Sequence, residues 1–253
     1  MTIESYSDGV CVAQRLGGRE TQQDDFGCLI ADEFTLLVIA DGMGGHHAGE
    51  EASQIVVESF LMPIESLEPG YKLRQRDLAL SLSKANQAIA STIEDSPQKS
   101  GMGSTVVAVL KDHHYLQWLS VGDSHLYRLR QGQLEKLNAD HSMMPLILEM
   151  VDHGKLAQHD IESHPLRNKL RSAITGGKIE LLDYPEEPLK HHAGDIYLLS
   201  TDGLDVLSFS QLTQVLNESQ TKPPMDICQT LMETAMAQDV DDRDNTTFAI
   251  IKI

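Results

Sequence analysis

Apolar stretches alternate with polar breaks along the chain, and an aspartate stands at many of the breaks. Phe34 to Ala40 (FTLLVIA) holds one polar residue, Thr35, and stops at Asp41-Gly42-Met43-Gly44-Gly45. A run this short, rich in Val, Ile and Leu and cut off by glycines, predicts a strand buried on both faces. Similar runs predict strands over 10–13, 26–31, 103–110, 115–121, 195–201 and 246–253. Asp32-Glu33 is a short link between 26–31 and 34–40, which predicts a hairpin. A second hairpin is expected around Gln131-Gly132, between 126–129 and 134–137.

Helical spacing appears elsewhere. From 47 to 61, Ala48, Ala52, Ile55, Val56, Ser59 and Phe60 share one face. Leu78, Leu82, Ala85 and Ile89 do the same over 73–93, with a loop expected from Pro63 to Gly70. Further helices are predicted at 147–158, 209–217 and 224–238, the last opened by Pro223-Pro224. Residues 139–190 are the least regular part, and a long excursion between strands is often a lid or recognition insert. Gly101-Met102-Gly103 lacks a following Lys-Ser/Thr and reads as strand punctuation, not as a phosphate loop.

The aspartates turn this pattern into chemistry. Asp41, Asp123 and Asp202 each follow an apolar run, while Asp24 and Asp244 each precede one. In antiparallel sheets the end of one strand adjoins the start of the next, so all five carboxylates can gather on one rim. If the hairpin forms, Asp24 lies beside Asp41. Unpaired, these groups would repel strongly, so the arrangement calls for cations. Hard oxygen ligands select Mg²⁺ or Mn²⁺, and no His/Cys cluster offers a zinc alternative. Two such ions, roughly 3.5–4 Å apart, would hold and deprotonate a bridging water. Arg19 falls on the same rim, and its planar fork suits a phosphate; taken alone, it would more often be a surface ion pair. The reaction class is then metal-assisted phosphoester hydrolysis. No Ser-His-Asp or Cys-x5-Arg arrangement competes.

Composition narrows the partners. The chain has 253 residues, 41% of them hydrophobic, enough for one large domain or two small ones. With 38 acidic against 20 basic residues the net charge is -18, which disfavours nucleic acid and anionic membranes. Cys11, Cys28 and Cys228 are widely spaced, as expected of buried thiols in a reducing compartment. There is no N-terminal signal and no apolar run of 18 residues, so a soluble cytoplasmic protein is expected.

Eight motifs occur in an order that resembles the type 2C, metal-dependent protein serine/threonine phosphatases, in their compact bacterial form. They are Arg19…Gln22-Gln23-Asp24, Asp41-Gly42-Met43-Gly44-Gly45-His46, Gly103-Ser104-Thr105, Val121-Gly122-Asp123-Ser124, Asp140-His141-Ser142, His164-Pro165-Leu166-Arg167-Asn168, Ser200-Thr201-Asp202-Gly203 and Asp244-Asn245. The resemblance runs from about Gly9 to Ile253. It implies a single α+β domain, a four-layer α-β-β-α sandwich of two antiparallel sheets flanked by helix pairs, with a flap insert at about 142–172. It implies two Mn²⁺ or Mg²⁺ ions, with a third at a weaker site. By position, Asp41 resembles the carboxylate bridging both metals, and Gly42 supplies a carbonyl oxygen. Asp202 and Asp244 resemble further ligands of the first metal, and Asp123 a ligand of the third. Arg19 matches the phosphate-binding arginine, Asp24 a carboxylate orienting metal-held water, and His46 a histidine assisting catalysis; for His46 the competing reading is a loop histidine without a role.

Two positions depart from the family pattern. Gln23 stands where a glutamate usually holds the second metal through water, which puts the affinity of that metal in question. Met43 stands where many eukaryotic members place a histidine. The expected substrates are phosphoproteins, including a serine/threonine kinase or its targets, and the expected state is a monomer. Two competing readings are a catalytically weak or inactive member that binds phosphoproteins, and an acidic Ca²⁺-binding protein. The intact Asp41, Asp202 and Asp244 argue against the first, and the lack of an Asp-x-Asp-x-Asp-Gly loop with a closing Glu argues against the second.

Overall fold

A computed structural model describes residues 1–7, 9–45, 47–65, 73–161 and 163–253. Two six-stranded antiparallel sheets face each other. The first has β1 (Thr2–Ser7), β2 (Val10–Arg15), β8 (His125–Arg130), β9 (Gln133–Lys136), β11 (Ile196–Ser200) and β12 (Thr246–Lys252), in the order β1-β2-β12-β11-β8-β9. The second runs β10 (Leu189–Lys190), β7 (Tyr115–Val121), β6 (Val106–Lys111), β4 (Thr35–Met43), β3 (Asp24–Ile30), with the short β5 (Gly103–Ser104) paired to the end of β4.

Period-two alternation along the strands divides the core into three apolar layers. Leu37 and Ile39 of β4 meet Val10, Val12, Val107, Val109, Tyr197 and Leu199 between the sheets. Leu36, Val38 and Ala40 of the same strand point the other way, onto α1 (Ala48–Glu65) and α2 (Gln75–Asp95) through Val56, Phe60, Leu78 and Ile89. On the far side, Cys11, Leu198, Phe248 and Ile250 pack on α4 (Phe209–Glu218) and α5 (Pro224–Met236) through Leu212, Leu216, Leu231 and Met232. Continuous apolar runs are thus the signature of strands covered on both faces, and the α-β-β-α sandwich expected from the motifs is the one observed.

Several boundaries differ from the sequence expectation. α1 continues through Pro63, where a loop was expected, because Ile64 in its last turn is buried (5% exposed) against the core. The expected loop residues 66–70 lie outside the described residues. In the irregular segment the helix is α3 (Met144–Asp152), earlier than 147–158. Pro145 sits in its first turn and Gly154, at φ 68°, lies just beyond its end, which fixes both limits. The strand β1 was missed; it is an exposed edge whose residues carry no apolar alternation beyond Ile3. Cys28 is half-buried, whereas Cys11 and Cys228 are fully buried, and all three are free. Among the described residues no helix is long and apolar enough to cross a membrane.

Candidate functional site

The rim forms where β3 and β4 meet the ends of the opposite sheet. β3 and β4 pair as the expected hairpin, and Asp24 lies directly across from Asp41. Asp123 follows β7, Asp202 opens a short 3-10 turn after β11, and Asp244 precedes β12. The other four predicted carboxylates are all brought within electrostatic reach of Asp41. Burial is the first cause raising the Asp41 carboxyl well above its usual range, followed by the charges of Asp24, Asp202, Asp123 and Asp244. Burial and the charges of Asp123 and Asp244 push Asp202 up to about 7, partly offset by His125. Asp24 (5% exposed) is also pushed up to about 7, by burial and by Asp202 and Asp244, against hydrogen bonds from Thr247 and Thr201. For Asp123 the causes are burial and then Asp140.

Backbone and hydroxyl contacts hold the rim in place. The Asp41 amide donates to Thr105 Oγ1 (3.0 Å), and that hydroxyl meets Ser124 Oγ at 2.8 Å beside Asp123. The Asp41 carbonyl accepts from the Thr105 amide (2.8 Å) and Ser104 Oγ (3.0 Å). Gly42 permits a close approach that no other residue would: a Cβ there would lie 1.9 Å from the Gly49 carbonyl oxygen. Thr201 Oγ1 donates to Asp24 Oδ2 at 2.9 Å, joining the two sheets under the rim.

Arg19 reaches the rim and donates from Nη2 to Asp244 Oδ2 at 2.8 Å. Both side chains are more than two-fifths exposed, so this contact is weak and exchangeable. Gln23 is half-buried; its Nε2 donates to the Gly44 carbonyl at 3.4 Å, and its own carbonyl accepts from the Gly42 amide at 2.9 Å. The side chain therefore touches the loop that follows β4. His46 lies outside the described residues.

Three neighbours were not given a role from sequence. Asn245 Oδ1 accepts from the Gln23 amide (2.8 Å), while its Nδ2 donates to the carbonyls of Leu16 (2.8 Å) and Thr21 (3.1 Å). One amide side chain thus fastens the Arg19 loop to the start of β12. Asp140 adds a further negative charge beside Asp123. His125, nearly buried, is held through Nε2 by Asp205 at 2.8 Å and brings the histidine that acts on Asp123 and Asp202. Asp140 sits within a quoted motif and Asn245 follows Asp244, but nothing in their spacing announced these contacts.

An open pocket of about 540 Å³ lies on this rim. It is lined by Asp41, Met43, Thr105, Asp123 and Asp202, and by residues of the 168–178 segment. Among the described residues no three His, Cys, Asp or Glu side chains stand grouped as they would be around a metal ion. The donor set nevertheless fits hard divalent cations: it is all oxygen, strongly anionic, partly desolvated and destabilised by its own charge.

Comparison with known proteins agrees with this geometry. The chain is 38% identical over 170 residues to the serine/threonine protein phosphatase PstP of Mycobacterium tuberculosis, a stretch covering 67% of this chain and 31% of that protein. The alignment thus spans about a third of that relative's length. It is 28% identical over 201 residues to the serine/threonine phosphatase stp of Listeria monocytogenes, with 75% of each covered. A crystal structure of the M. tuberculosis serine/threonine phosphatase PstP superposes with a TM-score of 0.78 at 32% identity, covering 96% of this chain and 97% of that one. A second structure, the PstP catalytic domain in complex with two manganese ions, gives 0.76 at 31% identity, with 96% of each covered. The sequence profile of protein phosphatase 2C matches residues 14–242. With the profile spanning most of its length and the sandwich and rim in place, this chain belongs to the protein phosphatase 2C family.

Proposed function

We propose that the protein is a metal-dependent phosphatase that hydrolyses phosphoserine and phosphothreonine in proteins. The observation that carries this reading is the gathering of Asp41, Asp202 and Asp244, with Asp24 and Asp123, at one rim where the charges of the other four all raise the Asp41 carboxyl. The manganese ions of the PstP catalytic domain support Mn²⁺ as the partner of such a rim. Asp41, Asp202 and Asp244, with the Gly42 carbonyl, would hold two Mn²⁺ or Mg²⁺ ions, and Asp123 a third. When bound, the ions neutralise the rim, activate water and stabilise charge on the phosphoryl group.

The remaining roles fall to the chain itself. Arg19 exchanges its exposed contact with Asp244 for two oxygens of the substrate phosphate, a match its planar fork favours. Asp24, fixed by Thr201 behind Asp41, is the carboxylate placed to orient water and accept a proton. Water adds to phosphorus, the bond to the serine or threonine oxygen breaks, and the products are inorganic phosphate and the free hydroxyl. His46 is assigned an assisting role on the motif alone. The domain spans 1–253 with a flap at 142–172; the Ser142–Leu170 bridge brings the ends of that stretch together. The substrates include a serine/threonine kinase or its targets, and the protein acts as a cytoplasmic monomer in signalling.

The test is turnover of phosphoserine and phosphothreonine peptides, and of an aryl phosphate, with and without Mn²⁺. Turnover that requires metal and stops with a chelator is expected. Binding of phosphopeptides without turnover would instead support the inactive binding module, and full activity in stripped protein would refute both metal and mechanism.

A further inference from the structure

The rim supplies only part of the pocket; the rest comes from the 168–178 segment, and its charge is reversed. Between Ser163 and Glu180 the sequence carries Arg167, Lys169, Arg171 and Lys178 and no acidic residue, in a chain whose net charge is -18. Lys169, Arg171 and Lys178 all line the pocket. Lys178 pairs with exposed Glu180 at 2.8 Å, but among the described residues Lys169 and Arg171 form no ion pair. Nor are they prominent among the influences on Asp41 and Asp202, which are burial and mainly the neighbouring carboxylates. Their charges therefore remain available to a ligand.

Their backbone is not free to drift. Leu170 bridges Ser142, the Met143 amide donates to the Lys169 carbonyl (2.9 Å), and the Arg171 amide donates to the His141 carbonyl (2.8 Å). Four residues beyond Leu170, Ile174 exchanges two hydrogen bonds with Ser104, at 3.0 and 2.9 Å, beside Asp41. Lys169 and Arg171 flank the bridged Leu170, are both exposed, and both line the pocket. A fixed backbone spares the cost of ordering a loop, so binding an anion orders only the two side chains.

We propose that Lys169 and Arg171, with Lys178, form a subsite for acidic side chains flanking the phosphorylated residue, so that the preferred substrates are acidic phosphopeptides. The inference rests on the phosphatase reading of the same pocket and goes beyond it by naming the substrate class. Elsewhere the surface of a chain this acidic repels such a peptide; at the pocket it meets cations. Complementarity of this kind selects partners and registers them more than it tightens binding overall, and it weakens with salt.

Two phosphothreonine peptides that differ only in flanking Asp/Glu or Lys/Arg would be compared at saturating Mn²⁺. The acidic peptide is expected to have a kcat/KM about tenfold higher, as two or three exposed pairs would give. That ratio should shrink as ionic strength rises. In Lys169→Glu/Arg171→Glu it should fall to about one or invert. Equal ratios in wild type and variant, or no preference in a wild type that hydrolyses aryl phosphate, overturn the subsite while leaving the phosphatase standing. Absence of turnover of every substrate would defeat the phosphatase reading. In that case binding of the labelled acidic phosphopeptide, followed by anisotropy in chelator, still decides: weaker binding by the variant supports the subsite, and unchanged binding overturns it.

Discussion

Asp24 and Asp41 are cross-strand partners, the first residue of β3 standing directly opposite a residue near the end of β4. Like charges in that relation destabilise a sheet. Thr201 holds Asp24 from the other sheet, and the Thr105 hydroxyl and amide hold the Asp41 backbone. The fold thus forces together two groups that would separate if left to themselves. A divalent cation between them would relieve that repulsion.

Replacing Asp41, Asp202 or Asp244 by Asn should each lower turnover by at least about 10²-fold at saturating Mn²⁺, because the ligands position what activates water and stabilises the transition state. In chelator, Asp41→Asn should melt no lower than wild type, since it removes one charge from a cluster of mutual repulsion. Steady-state kinetics and thermal melts check both halves. Near-normal turnover in any of the three would remove that residue from the site.

Arg19→Ala should raise KM more than it lowers kcat. The exposed contact with Asp244 contributes little to stability, so the fold should be unaffected. A ground-state phosphate contact appears in KM, whereas a contact made only in the transition state appears in kcat. A pure kcat loss would assign Arg19 to the second class.

Gln23→Glu should have two separable effects. The new carboxylate adds charge near the rim and, with charge-assisted hydrogen bonds, should lower the Mn²⁺ concentration for half-maximal activity by about tenfold. It also loses the amide donor to the Gly44 carbonyl and so should cost about 1 kcal/mol of stability in chelator. Metal titrations and melts of the two forms separate these. Coincident titration curves would place Gln23 outside the second metal's environment.

Away from the rim, Asp195 offers a pH-dependent prediction. It is buried (1% exposed) and accepts from Arg130 Nε at 2.8 Å and Nη2 at 2.6 Å, and from the His192 amide at 2.8 Å. Burial alone would raise its carboxyl, but the Arg130 and His192 hydrogen bonds and the guanidinium charge hold it below its usual range. Its contribution is therefore complete above the unfolded value of about 3.9 and is lost as pH falls through the folded one. Asp195→Ala should cost about 2 kcal/mol at neutral pH, below the figure for a fully buried pair because Arg130 keeps some contact with solvent. The difference from wild type should stay level from about pH 5 to 8 and narrow below about pH 4. A gap that is unchanged in acid would show that packing, not charge, holds this corner.

The sequence was a good guide where burial on two faces wrote itself into composition. The hairpin joining 26–31 to 34–40 followed from two apolar runs and a two-residue link, and with it the pairing of Asp24 with Asp41. It did less well where local rules and tertiary packing disagree. Pro63 signals a break, yet burying Ile64 keeps α1 going. β1 has little apolar pattern because an edge strand lies mostly in solvent. Asn245, Asp140 and His125 carry no legible role for another reason: their partners are distant in sequence, and a polar side chain does not advertise which group it will meet. Lys169 and Arg171, which form no ion pair among the described residues, are of the same kind, since the bridges at Leu170 and Ile174 help bring them to the pocket.

Asn245 also bears on when the protein can begin to work. Its side chain is joined to the Gln23 amide across 222 positions of sequence, and β12, which follows it, lies between β2 and β11. On a ribosome adding roughly 5–20 residues each second, those two ends emerge on the order of 10–40 s apart. During that interval β2 has no central neighbour, β11 emerging only towards its end, and Arg19 and Asp24 have neither Asp244 nor the Asn245 tether. The rim can close only when β12 docks, so a nascent chain carries the earlier motifs without the assembled site.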